Sequence, residues 1–144
     1  MSKYDEAVKI LEERFGRDTL ISVATLDGGR PSVRIVNGYY KEGSFYSLTQ
    51  ASSGKMRQLA KNPEAAICGD WFSAHGMGEN IGHLRDGKNA ALMAEIRAAF
   101  SEWYGNGDIN EDDPNMCILR IKLTDGILFS HGAKYIIDFI EKKA

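Results

Sequence analysis

The stretch "TLISVATLDGGRPSVRIVNGYYKEGSFYSLT", residues 19–49, decides how this chain folds. It contains three runs rich in β-branched and aromatic residues, at 19–26, 31–40 and 45–49. "DGGR" separates the first two and "KEGS" the second two. Short glycine-containing turns between strand-like runs specify antiparallel hairpins. A parallel pairing would need a crossover of roughly a dozen residues, and neither turn supplies one. The stretch therefore predicts a three-stranded meander.

Working outward, Ser2 and Asp5 form a capping-box pattern ahead of Tyr4, Val8, Leu11 and Phe15, and Gly16 can stop the resulting helix at about 3–15. After the meander, Met56, Leu59 and Ala60 predict a short helix stopped at Asn62-Pro63. "EAAICGDWF" (64–72) reads as a strand, "SAHGMGEN" as a loop or bulge, and "IGHLRD" (81–86) as a strand. Leu92, Ile96, Ala99 and Trp103 make a helical stripe across 88–104. An acidic, turn-rich loop follows at 105–115. Strand candidates at 116–123, 126–130 and 134–139 close the chain. About seven hairpin-connected strands and three helices predict an α+β, mainly β fold: an antiparallel barrel with flanking helices, as a single domain over 1–144.

Composition excludes several classes. The chain has 144 residues and a net charge of −2, without the basic excess of a general nucleic-acid binder. No apolar run approaches the roughly 20 residues of a membrane helix. The acidic, amphipathic N-terminus has no signal-peptide core, so a cytoplasmic location is expected. Cys68 and Cys117 each sit in an apolar run and read as buried, reduced thiols.

Several motifs fail on inspection. "SSGKM" lacks the early Gly and the Ser or Thr after Lys that a phosphate-binding P-loop needs. "GMGENIG" has one residue too many for a dinucleotide fingerprint and does not open a helix; it reads as a bulge or close-contact loop. His75, His83 and His131 have no second ligand at metal spacing, so no metal site is expected. No nucleophile elbow is present. Trp71, Phe72 and Trp103 read as core or interface aromatics, and "NEDDP" as a solvated loop without EF-hand spacing.

One constellation survives. Arg34 lies on the second strand of the meander, Thr49 ends the third, and Ser53 and Lys55 open the short helix. A helix N-terminus offers free N–H groups and partial positive charge; Thr and Ser add hydroxyls; Arg forks onto two phosphate oxygens and Lys adds a point charge. Such a set can neutralise a phosphate dianion without metal. The same residues also read as a Ser53 helix cap beside two solvated cations, and spacing alone leaves both readings open.

"RIVNGYY" followed by "FYSLTQASSGKMRQLAKNP" resembles the pyridoxamine-5′-phosphate-oxidase-like family of FMN-binding split barrels, in particular its general-stress-protein branch. The resemblance extends in element order over nearly the whole chain, through "GHLRD" and "EDDPNMCILRIKLTDGILF". It implies an antiparallel split β-barrel of about six to seven strands and FMN as cofactor. It implies phosphate contacts from Arg34, Ser53 and Lys55, with Leu48 and Thr49 lining the same site. The backbone at Ile35, Val36 and Asn37 would run along the isoalloxazine ring. It implies a homodimer with sites at the interface, Asn80 coming from the second subunit and Phe129 lying near the flavin.

Two departures from the family pattern stand out. Gly54 occupies the place of a basic residue in the phosphate turn, and "SHGAKYIID" lacks the Arg-x-His pair that would hold vitamin B6, which argues against pyridoxamine phosphate oxidase activity itself. The resemblance thus implies an FMN-dependent oxidoreductase acting on a small molecule, with Tyr39, Tyr40, His75, His131 and Lys134 as substrate-side candidates. The alternatives are a flavin-binding storage protein, or a haem- or tetrapyrrole-binding barrel with His75 or His131 as axial ligand.

Overall fold

The computed structural model covers residues 1–144. Its strands are β1 (Thr19–Asp27), β2 (Arg30–Lys41), β3 (Ser44–Gln50), β4 (Glu64–Gly69), β5 (Phe72–Asn80), β6 (Met116–Ser130) and β7 (Ala133–Asp138). The helices are α1 (Lys3–Phe15), α2 (Gly54–Lys61) and α3 (Ala90–Ala99). All strand pairs are antiparallel, in the order β3-β2-β1-β4-β5-β6-β7, and a β3–β6 pairing closes the first six into a barrel. β7 extends the sheet along the second half of β6.

The meander and α1 stand as expected, down to the reciprocal Ser2–Asp5 capping box. Period-2 burial then builds the core. Ile21, Val23, Tyr40, Phe45, Ile67 and Phe72 point inward, joined by Ala7, Leu11 and Phe15 of α1 and by Met56 and Leu59 of α2. β6 alternates between two cores. Cys117, Leu119 and Ile121 face the barrel, while Met116 and Ile118 join Met93, Ile96 and Phe100 beneath α3. Coverage on both faces is why "MCILRI" shows no polar alternation.

Four expectations need correction. The segment 73–80 belongs to strand β5 rather than a loop, and 64–72 is two strands joined by a tight turn with Trp71 at φ 52°. "IGHLRD" is not a strand: Gly82 turns there at φ 111°, and Leu84 plugs the second core. The segments 116–123 and 126–130 are one strand, because the chain passes Thr124 at a register shift opposite His75/Gly76 instead of turning. The third helix ends at Ala99, and turns carry the chain on to Trp103. The eight strand candidates thus become seven strands: β5 is gained, "IGHLRD" is lost, and two candidates merge into β6.

Close approach explains the glycines of β5. A Cβ on Gly76 would lie 2.7 Å from the Lys122 carbonyl oxygen, and one on Gly78 2.9 Å from the Leu59 side chain. The close-contact reading of "GMGENIG" therefore holds, within a strand.

The acidic loop is also more than a solvated face. Arg97 donates from Nε and Nη2 to the two Glu111 oxygens, both at 2.8 Å, and Tyr104 donates to Glu111 at 2.6 Å. The Arg97 hydrogen bond is the main cause that holds the Glu111 carboxyl down at about 2, against 4.5 ordinarily. A carboxyl depressed on folding stabilises above its unfolded pKa, and that contribution is lost as pH falls toward the folded value. Glu111→Gln is expected to cost about 1–2 kcal/mol at neutral pH, discounted for the exposure of Arg97. Urea titration checks this: the gap between variant and parent should narrow as pH drops below 4.5.

Candidate functional site

The site begins where the barrel wall opens. β2 and β3 pair only at Tyr39–Tyr46, Tyr40–Phe45 and Lys41–Ser44. Beyond that, β3 continues to Gln50 on the β6 ladder, while β2 from Arg34 to Gly38 pairs only with β1. The β2 edge at Ile35, Val36 and Asn37 thus faces a seam, with Leu48 and Thr49 on the opposite bank. α2 starts at the end of β3 and closes the seam at its wide end. Ser53 caps α2, its hydroxyl accepting the Met56 N–H at 3.4 Å.

Two cations meet at this end. Arg34 Nη1 donates to the Thr25 hydroxyl at 2.7 Å and to the Val23 and Ser32 carbonyls at 3.2 and 3.3 Å. Its Nη2 donates to the Ser32 hydroxyl at 3.1 Å and to Gln58 Oε1 at 3.3 Å. Lys55 Nζ donates to the Thr49 hydroxyl at 2.6 Å. Every one of these acceptors is neutral, and neither cation takes part in an ion pair. Burial, followed by the nearby Arg34 charge, pushes the Lys55 pKa down; burial lowers that of Arg34 too. Like charges held together without a carboxylate are poised to receive an anion.

The structure therefore brings Arg34, Thr49 and Lys55 to one end of the seam, with Ser53 serving as the cap. It adds Thr25, Ser32 and Gln58, which the sequence reading did not assign. Ser32 stands two residues before Arg34 on β2 and Gln58 one helical turn after Lys55, so strand and helix periodicity carried that signal. Thr25 comes from β1, where sequence offers none.

The other candidates take no part in the hydrogen bonds of the cation pair. Ile35 is 68% exposed, while Asn37 Nδ2 donates to Asp18, which also accepts from the Trp103 indole at 2.9 Å. Asn80 ends β5 beside Met56 and Leu59 and accepts the Gly82 N–H at 2.8 Å. Phe129 sits on β6 far past Cys117, the residue opposite Thr49; the interval is roughly 35–40 Å of extended strand.

Tyr40 is buried in the barrel core, its hydroxyl without a partner and its pKa pushed up to about 12 mainly by burial, so it cannot meet a substrate. Tyr39 packs toward α3. His131 lies in the β6–β7 turn at φ 48°, and Lys134 stands over the Phe129 ring. His83 is structural: it contacts the Asp113 carbonyl at 2.8 Å and accepts the Arg85 N–H at 3.0 Å. Cys117 is buried as expected, but Cys68 is exposed because it faces outward from β4. Phe72 is buried and Trp103 partly so, whereas Trp71 is 71% exposed. No helix is long and apolar enough to cross a membrane.

Comparison with solved structures places this architecture among split barrels. A protein related to general stress protein 26 from Clostridium acetobutylicum superposes with a TM-score of 0.62 at 17% identity, covering 96% of each chain. A nimC/nimA family protein from the same organism gives 0.68 at 18% identity, covering 93% of this chain and 96% of the other. A haem-binding protein from Mycobacterium smegmatis gives 0.70 at 14% identity, covering 99% of this chain and 60% of that one. Among curated proteins no sequence matches. Residues 5–129 match the pyridoxamine 5′-phosphate oxidase family, so the chain, with its seven strands, open β2–β3 seam and paired cations, belongs to that family.

Proposed function

We propose that this protein binds FMN along the β2–β3 seam and acts, as a homodimer, as an FMN-dependent oxidoreductase on a small molecule. The observation that carries the reading is the pair of cations, Arg34 and Lys55, held at the wide end of the seam by neutral oxygens alone. A phosphate ester supplies the missing negative charge. The free N–H and C=O groups of the β2 edge suit the polar rim of a planar heterocycle. Leu20, Val33 and Ile35 form an apolar outer face on β1 and β2, each at least 67% exposed. A second copy laid over that face would exclude water from the ring.

FMN, when bound, supplies the electron and hydride transfer. The chain's own residues hold and neutralise the phosphate, orient the ring and exclude water. None is required as an acid or base. The fit to pyridoxamine phosphate is poorer: the stretch lacking Arg-x-His forms the β6–β7 turn and β7, where Lys134 is engaged with Phe129.

Titration of the purified protein with FMN tests the reading, followed through the flavin absorbance and fluorescence. Saturable binding at one FMN per chain is expected. NADH or NADPH should then bleach the bound flavin, and an added acceptor should restore it. Binding without bleaching would leave a flavin-storage protein. Failure to take up FMN, together with a Soret band on adding haemin, would favour the haem reading suggested by the mycobacterial neighbour.

A further inference from the structure

A second concavity opens on the outer wall; it shares Thr25 with the cation pair, but neither Arg34 nor Lys55 lines it. β1 and β4 pair only from Ser22 to Ala24, so Thr25 and Leu26 diverge from Ala65 and Glu64. The divergence leaves a groove of about 490 Å³, within the range of small-molecule sites. Leu26, Pro31, Ala66 and Met77 supply an apolar lining; Glu64, His75 and Asp125 supply the polar groups.

The register shift at His75/Gly76 sets His75 directly across from Asp125. His75 Nδ1 lies 2.8 Å from Asp125 Oδ1, and Asp125 Oδ2 accepts the Thr124 hydroxyl at 3.1 Å. A carboxylate on Nδ1 keeps the ring proton there and leaves the Nε2 lone pair outward. Glu64 forms no ion pair, and no Lys or Arg lines the groove. Lys122, opposite Met77 in the ladder, lies outside the lining. Glu64 pairs with Met77 and Ala66 with His75, so Glu64 and His75 are diagonal neighbours on one face. That spacing, roughly 7–8 Å, suits one ammonium group reaching both side chains.

We infer that this groove binds a small primary amine with an apolar body, its ammonium paired with Glu64 and donating to His75 Nε2, its body against Leu26, Pro31 and Met77. The site takes a cation, whereas the seam takes an anion, so the inference does not rest on FMN binding.

Phenethylamine is the probe, titrated into the full chain with the His75 ring resonances followed by NMR. Saturable shifts are expected, with about tenfold weaker binding in Glu64→Gln; calorimetry, which needs no ring at 75, should show a similar weakening in His75→Phe. Phenylacetate, the matched anion, should leave the ring unmoved. Absent or non-saturable shifts, equal response to phenylacetate, or unchanged affinity in Glu64→Gln would overturn the inference. FMN titration of Glu64→Gln reads the seam separately and should match the parent protein.

Discussion

Replacing both Arg34 and Lys55 by alanine lowers FMN affinity at least about a hundredfold, because each charged hydrogen-bond donor contributes roughly 1.5 kcal/mol or more. Arg34→Lys is a sharper single test. It keeps the charge but loses the fork that bridges Thr25, Ser32 and Gln58. That variant should lose about tenfold, most of Arg34's own share, with Lys55 still in place. The pH profile provides a second signature. The Lys55 ammonium is pushed down by burial and then by Arg34, and a bound phosphate favours its charged form. Affinity should therefore fall as pH rises through that lowered pKa, earlier than for an ordinary lysine. It should also fall below about pH 6, where the ester takes up its second proton. The measurement is FMN fluorescence quenching across pH. Unchanged affinity in the double variant would show that the phosphate lies elsewhere.

Phe45→Ala is the substitution expected to cost most in stability, about 3–5 kcal/mol. Phe45 is 1% exposed and meets Phe15 at 5.6 Å, Tyr40 at 5.5 Å and Phe72 at 6.5 Å between ring centroids. It sits opposite Tyr40, in one of the three pairs that join β2 to β3. The surrounding rings come from a helix and two strands, so they cannot collapse together to fill the gap. A loss of this size is a large part of the roughly 5–15 kcal/mol that holds a typical domain together. Urea denaturation should show a markedly lower midpoint. A shift worth under about 1 kcal/mol would mean that β3 is held chiefly by its ladder with β6.

The parts of the fold legible from sequence are those whose signals are local. The Ser2–Asp5 box, the two glycine turns of the meander and the helix stop at Asn62-Pro63 each act within a few residues, and each appears where expected. β5 was illegible for the opposite reason. "FSAHGMGEN" has the glycine content of a loop, and its glycines are needed because Lys122 and Leu59, remote in sequence, press against them. "IGHLRD" erred the other way. Its composition suits a strand, yet Leu84 is used to fill a core that α3 brings into being. β6 passes Thr124 and Asp125 without turning because β5 and β7 hold it on both sides.

The candidate site divides along the same line. Sequence by itself determined an antiparallel meander feeding a short capped helix, and named Arg34, Thr49, Ser53 and Lys55 as the polar residues around that corner. Only the tertiary structure decided which of them share a site: it joined the two cations, left both without a carboxylate, gave Ser53 to the cap, supplied Thr25 and Gln58, and set Phe129 at the far end of β6. The physical reason is range. Turn and cap preferences are settled by backbone geometry over a few residues, whereas charge balance and the opening of a seam depend on which distant strands fail to pair.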